Sequence, residues 1–427
     1  MTSPPSLKRA FDSPVVAASA FLVSLAIGWI SVFAFKQQNP SLQNHSLRHD
    51  VYIWQHHWTD EVTASVAIRA NHFEELVLLA AEYFTIHGNL SVKEISFSEK
   101  ALNQKKVWLA IRIGPQREQE ALEIVRKHLH QLVRRKSIAL VESGADLAGV
   151  QIDYDCPTSS LGSYALWLEQ IRSGHPGLPF SATSLPAWLG SSSFSRFARA
   201  VDHFVLQVHS LEAPAHWNEA ISLCSPAKAL KWTKKADTFG APFLVAVPTY
   251  SYGLVYDRSG KFLGAESEGP SASWPEGFKT RLLAADPGEM SKLRTDLEQT
   301  KLKNLKGIIW FRLPVDSDRN NWEWSTLVAV MNKSFAPVEA GYLVNEASPG
   351  LFQLVLTNAQ SHQVAVPKKI FVSHGKGQIV AMDGLNGYQI EQTKNGLQAF
   401  RPTPATIRGE ETQIIAWWRT RSAGELE

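Results

Sequence analysis

The stretch 147–157, LAGVQIDYDCP, holds the densest set of groups able to do chemistry. Its apolar run reads as a buried strand. The run ends in Asp153 and Asp155, which alternate with Tyr154 and so share one face of a strand. Like-charge repulsion between two carboxylates held together raises the pKa of one, which is the condition a general acid requires. The plainer alternative is that one Asp caps the following helix while the other is solvated.

Carboxylates at a strand end need a scaffold that presents them. Apolar, β-rich runs recur at 51–54, 75–84, 106–115, 147–155, 178–186, 203–210, 242–249 and 306–313, mostly interleaved with helical patterns at 59–70, 118–135, 163–172, 194–200 and 227–239. Repeated β-then-α units favour a parallel sheet buried on both faces, and this number of them predicts a closed (β/α)8 barrel over 51–334. An open doubly wound sheet is the competing architecture, but it would want a Gly-rich phosphate turn after an early strand, and the sequence has none. A long insert, 250–303, separates the last two strands and carries Tyr250, Tyr252, Tyr256 and Trp274, which either line a cleft or pack the excursion onto the barrel. From 335 to 427 the pattern changes to short strands separated by Gly, Asn and Pro, as in a small β-sandwich. There Trp417 and Trp418 are neighbours, so one points in and the other out.

In such a barrel the strand C-termini form the active face. They offer Trp54, Gln55, His56 and His57 from the first strand, Glu82 from the second, Arg112 from the third, and Asp153 and Asp155 from the fourth. The remaining strands add Thr183, Gln207, His209, Tyr250, Trp310 and Arg312. Glycoside hydrolysis needs a protonated acid and a second group to stabilise positive charge at the anomeric carbon. Asp155 with Asp153 suits that pairing. Trp54, Tyr250 and Trp310 would be sugar platforms, and Arg112 and Gln207 would bind hydroxyls or a charged substituent, with Gln55, His57, Glu82, His209 and Arg312 completing the lining.

Composition limits the other classes. The 427 residues are 44% hydrophobic and 19% charged, an ordinary globular balance with room for a large core. A net charge of +3 without a Lys/Arg stripe argues against nucleic acid as a partner. A metal-dependent hydrolase or deacetylase is the weaker alternative. His56 and His57 are adjacent and so diverge, and only a mixed set of His57, Asp153 and His209 suggests itself, so no metal and no other cofactor is expected. A Gly-x-Ser-x-Gly nucleophile elbow is absent.

Lys8 and Arg9 precede the uncharged run 15–35, long enough to cross a bilayer. The expectation is an uncleaved N-terminal anchor over 1–36 with a linker over 37–50, the remainder lying in the periplasm or outside the cell; a cleavable signal is the alternative. Cys156 and Cys224 allow one disulfide in that compartment, or two free thiols.

GVQIDYD resembles the fourth-strand signature of chitinase-type glycoside hydrolases, in which alternating Asp residues lead to a catalytic Glu. That resemblance implies that Asp153 takes the place of the middle Asp, Asp155 that of the Glu, and Trp310 that of the Trp flooring the site. Gln151 replaces the first Asp, and Asp155 is one carbon shorter than Glu. In order along the chain, VYIWQHHW, RIGP, QIDYDCP, LPAWL, LQVHSLE, VAVPTYSYG, EGP and GIIWFRLPVDSDRNNWEW are similar to an uncharacterised bacterial domain-of-unknown-function family with a glycoside-hydrolase-like barrel, over about 51–331. The resemblance implies the barrel and a carbohydrate or glycoconjugate partner, bound by a hydrolase or by a non-catalytic carbohydrate-binding barrel.

Overall fold

The computed structural model describes residues 47–421 except 87–88, 116–118, 210–213, 215, 218, 220, 267–273, 275, 375–376 and 403–404. The expected anchor over 15–35 lies outside the described residues, as does the EGP motif at 268–270. Among the described residues no helix is long and apolar enough to cross a membrane. Leu47 to the C-terminus forms one compact unit.

Its first part is built on β1 (Arg48–Ile53), β2 (Leu76–Ile86), β3 (Asn89–Glu94), β4 (Lys106–Ile113) and β5 (Asp146–Tyr154). It continues through β6 (Phe180–Ser184), β7 (His203–Gln207), β8 (Phe243–Pro248), β9 (Ser251–Tyr256), β10 (Phe262–Glu266), β11 (Lys279–Ala284) and β12 (Leu305–Phe311). The main sheet runs β1-β12-β8-β7-β6-β5-β4-β2-β3, and a further pairing of β1 with β2 closes it. Every pairing around the ring is parallel. β3 is an antiparallel attachment hairpinned to β2, which the sequence pattern did not signal.

Helices α1 (Asp60–Arg69), α2 (Gln119–Glu142), α3 (Leu161–Ser173), α4 (Phe194–Ala200), α5 (Pro226–Asp237), α6 (Pro287–Thr300) and α7 (Trp324–Met331) surround the barrel. Local chemistry starts them where it should. The Thr59 hydroxyl accepts from the Val62 amide to cap α1, and Asp286 accepts from the Glu289 amide, with Pro287 next to it, to start α6. Strand β8 is buried along its whole length, as a strand covered by helices outside and side chains inside must be. Outward-facing residues pack with the helices in one core, while Tyr52, Val77, Leu79, Trp108, Ala110, Leu244, Ala246 and Ile309 fill the barrel interior. Gly149 is required there: a Cβ at this position would collide with the Trp108 ring and the Pro179 carbonyl.

The expected linker ends earlier than its composition suggests, because Arg48–Asp50 already belong to β1. These polar residues meet partners at the lower end of the barrel: Arg48 Nη2 lies 2.9 Å from Asp50 Oδ2, the Glu75 amide donates to Asp50 Oδ1, and Trp108 Nε1 donates to Glu75 Oε2 at 2.7 Å. The insert forms a three-stranded antiparallel sheet, β10-β9-β11. The C-terminal part has a four-stranded sheet of β13 (Gly341–Ser348), β14 (Leu351–Thr357), β21 (Thr412–Arg421) and β17 (Gln378–Gly384), and a three-stranded sheet of β16 (Lys369–Val372), β19 (Gly396–Phe400) and β18 (Gln389–Thr393). A third, two-stranded sheet pairs β15 (Val364–Ala365) with β20 (Thr406–Ile407). These sheets share a separate core in which Trp418 is fully buried, while its neighbour Trp417 is half-buried and not among the residues of that core. Hydrogen bonds from the Gln363 amide to Thr326 and from the Gly409 amide to Glu323 join this part to the α7 end of the barrel.

Burial pushes the Asp50 carboxyl up to about 7, against the pull of Arg48. Because the unfolded carboxyl titrates near 3.8, the folded chain binds this proton more tightly, so the associated stability is complete below about pH 4 and is lost as pH rises to about 7. Asp50→Asn is expected to remove a slope of up to about 1.4 kcal/mol per pH unit across that window, read by urea unfolding at pH 5, 6 and 7.

Candidate functional site

The barrel mouth opens at the strand C-termini into a cleft with two joined lobes of about 240 Å³ and about 230 Å³. Asp153 and Asp155 lie in the first lobe with Tyr52, Thr183, Gln207 and His209. His56, Glu82 and Arg312 line the second, and Trp54, Arg112, Tyr250, Tyr252 and Phe311 border both.

Strand β5 supplies the carboxylates. It pairs with β4 through to Tyr154 and with β6 over Val150–Ile152, and Tyr154 packs edge-on against Tyr164 outside the barrel, which leaves Asp153 facing inward. Asp153 Oδ1 accepts from Thr183 Oγ1 at 2.7 Å and from Gln207 Nε2 at 3.2 Å, and Oδ2 lies 4.0 Å from Arg112 Nη1. Asp155 stands just past the strand end. The Cys156 carbonyl beside it accepts from Trp188 Nε1 at 3.1 Å, which holds the turn in place. Asp155 is exposed at the cleft, yet the protein around its carboxyl desolvates it in part, and that desolvation, reinforced by the charge of Asp153 and opposed by Arg112, pushes it up to about 6. Below Asp153, Gln151 accepts from Tyr52 Oη at 2.6 Å and donates to Ser181 Oγ at 3.1 Å. The position where the hydrolase pattern has an acid is thus a neutral hydrogen-bonded link.

Glu82 faces the cleft because β2 carries a bulge. The register with β4 shifts between Leu79 and Ala81, so that Val77 and Leu79 point into the barrel, Glu82 also points in, and Tyr83 turns out to meet His128 on α2. Glu82 Oε2 lies 2.6 Å from His56 Nε2, and this hydrogen bond is the main cause of its lowered pKa. Glu82 Oε1 is 3.6 Å from Arg112 Nε. On the opposite wall His209 Nδ1 meets Tyr250 Oη at 3.2 Å, and Tyr250 Oη donates to Tyr252 Oη at 3.3 Å. Burial holds His209 down near 4, so its ring is neutral at ordinary pH, and its buried Nε2 has no partner among the described residues.

Most of the expected site residues converge, and four expectations need correction. Trp310 is fully buried on the outer side of β12, where its Nε1 donates to His49 Nδ1 at 3.1 Å and its ring packs near Trp322. Strict alternation puts Phe311 in the cleft instead, a residue that counting inward from Ile309 would have found. His57 is exposed and outside the cleft, whereas its neighbour His56 points in, because adjacent residues diverge. Gln55 turns its amide to the Leu313 carbonyl and does not line either lobe. Cys156 and Cys224 are free, each buried in the barrel's outer core, and burial pushes both thiols up to about 12. Arg312 reaches the second lobe with its guanidinium on Asp318, at 2.6 and 3.0 Å.

Of the insert's aromatics, Tyr250 and Tyr252 reach the cleft. Tyr256 is buried against Trp217 and Phe262, and Trp274 stacks on Phe278 away from it. Among the described residues no group of three or more His, Cys, Asp or Glu side chains is placed to hold a metal ion, and the His57, Asp153, His209 set is not assembled.

The family model described as "Domain of unknown function (DUF3142)" matches residues 103–316, half of the chain, and the chain belongs to that family. A second model, "Domain of unknown function (DUF8456)", matches residues 342–421. No curated protein matches. Solved structures similar to the chain include the Bacillus cereus spore cortex-lytic enzyme (12% identity, 68% of this chain and 74% of that one, TM-score 0.48). A chitinase from Chromobacterium violaceum is also similar (11% identity, 68% and 100%, TM-score 0.45), as is a chitinase-like agglutinin from Robinia pseudoacacia (16% identity, 67% and 99%, TM-score 0.39).

The inward and outward assignments on β12 predict an ordering of stabilities. Trp310→Ala is expected to cost about 3–5 kcal/mol in chemical denaturation, and Phe311→Ala, which opens onto the cleft, less than about half of that.

Proposed function

We propose that this DUF3142-family protein is a glycoside hydrolase acting on a polysaccharide or glycoconjugate, with Asp155 as general acid and Asp153 as the stabilising carboxylate. The observation that carries the reading is the contrast between two carboxyls in one cleft. Asp153 is fixed by Thr183 and Gln207 beside Arg112, while Asp155 has no such bond among the described residues and its proton affinity is raised. Two carboxyls with environments that differ in this way divide acid and stabilising roles between them.

The chemistry follows from those environments. Protonated Asp155 gives its proton to the glycosidic oxygen as the bond to the anomeric carbon breaks. The positive charge left on the sugar faces the Asp153 carboxylate, whose orientation costs nothing at that moment because Thr183 and Gln207 already hold it. Water then adds at the anomeric carbon and its proton returns to Asp155, restoring the acid. Trp54, Phe311, Tyr250 and Tyr252 supply apolar faces on which a sugar ring packs, and Arg112 offers donors to its hydroxyls. The basic residues followed by the apolar run at 15–35 support work outside the cytoplasm, with the chain tethered to the inner membrane.

Asp155→Asn is expected to lower turnover by about 10²–10⁴-fold or more while leaving glycan affinity within about threefold, measured on the same oligosaccharide by product release and by calorimetry. Binding without turnover in the unmodified protein would instead favour a carbohydrate-binding barrel, to which the shorter Asp155 side chain in the Glu position also points. Because the acid must be protonated, kcat/KM is expected to fall about tenfold per pH unit above about 6.

A further inference from the structure

Around the barrel mouth the ionisable residues of three consecutive strands stand at one level: Glu82 on β2 is in register with Arg112 on β4, and Arg112 with Asp153 on β5. His56, from the turn after β1, closes the row on Glu82 at 2.6 Å. Negative, positive and negative charges therefore follow one another from Glu82 through Arg112 to Asp153. Arg112 is the uncommitted member. It lies 3.6 Å from Glu82 and 4.0 Å from Asp153, beyond hydrogen-bond reach of either, and its side chain is 48% exposed. Asp153 Oδ1 is already taken by Thr183 and Gln207, so its other oxygen faces the guanidinium. The groups acting on Asp155 or acted on by it are Asp153 and Cys156 from its own strand end, Arg112 from β4 and the buried Tyr164 phenol from α3. Arg112 is the one cation in that set.

We propose that Glu82, braced by His56, is a positioning residue that draws Arg112 away from the Asp153–Asp155 pair and so preserves Asp155 as a proton donor. The inference rests on the acid role given to Asp155 and adds the device that sustains it. A guanidinium released onto two carboxylates stabilises their ionised forms, the ordinary effect of an opposite charge within about 4–6 Å. Sharing Arg112 with a third carboxylate dilutes that effect. The His56 bond keeps Glu82 in place and loads one of its oxygens, so Glu82 pulls on Arg112 without capturing it. The second lobe thus acts on the first through Arg112, the charged side chain among those bordering both.

The test reads the Asp155 carboxyl directly, by ¹³C NMR titration of the full-length protein labelled at Asp side-chain carbons, with the signal assigned by its loss in Asp155→Asn. Glu82→Gln is expected to lower the Asp155 midpoint by about 0.5–1 pH unit, and Arg112→Gln to raise it by a similar amount. His56→Gln, which frees Glu82 to take Arg112 more fully, is expected to raise it. In an Arg112→Gln background, Glu82→Gln should leave the midpoint unchanged within about 0.2 units, because the route through Arg112 is gone. A full shift persisting in that background, or equal midpoints in all the single variants, overturns the proposal. No glycan is needed, so absence of turnover would sink the hydrolase reading without touching this result, and unmoved midpoints would leave the dependence of turnover on Asp155 intact.

Discussion

Closure of the parallel sheet through β1, which pairs with β12 on one side and β2 on the other, is the constraint on which the remaining structure depends. A closed sheet has no free edge and two faces of opposite fate, one toward the helices and one toward the barrel axis. Each strand residue is thereby assigned to one or the other by parity alone. Parity places Asp153 in the cleft and Tyr154 in the outer core, and Phe311 in the cleft and Trp310 against His49 and Trp322. Where parity is broken, at the bulge between Leu79 and Ala81, the effect is functional in kind: it turns an acidic residue into the mouth of the barrel.

Closure also sets the electrostatics. Neighbouring strands hold Glu82, Arg112 and Asp153 in register, so the three fall into a row at the barrel mouth beside aromatic rings. One wall of the cleft carries this alternating row. The other is neutral: burial strips His209 of its charge and raises the Tyr250 phenol far above its ordinary pKa, so that wall offers hydrogen-bonding groups without net charge. A polar but mostly uncharged ligand with apolar ring faces suits this division.

The barrel was legible because most of its parallel strands are apolar runs followed by a helical pattern, as strands covered on both faces are. The C-terminal sheets were legible from their turn residues, and the Trp417–Trp418 pair behaves as alternation requires. What escaped is what depends on phase or on distant partners. Trp310 is expected inward from its place at a strand end and its likeness to a hydrolase pattern, whereas counting from Ile309 turns it outward. The choice between His56 and His57 rests on how the chain turns after Ile53, which no periodicity records. The strand character of Arg48–Asp50 is hidden because those residues are polar and find their partners in Glu75 and Trp310, far along the chain. The separate burial of Cys156 and Cys224 is likewise a matter of tertiary packing, invisible in their count.

The central claim is that one cleft, floored by Asp153 and Asp155, receives a glycosidic bond. Its most direct test is a crystal structure of the Asp155→Asn protein soaked with the oligosaccharide it binds best. The expected result is a sugar ring against Trp54 and Phe311, with a glycosidic oxygen within about 3 Å of the side-chain amide at residue 155 and the anomeric carbon facing Asp153. A saccharide seated on the C-terminal sheets or outside the barrel, with the cleft free of sugar, would contradict it.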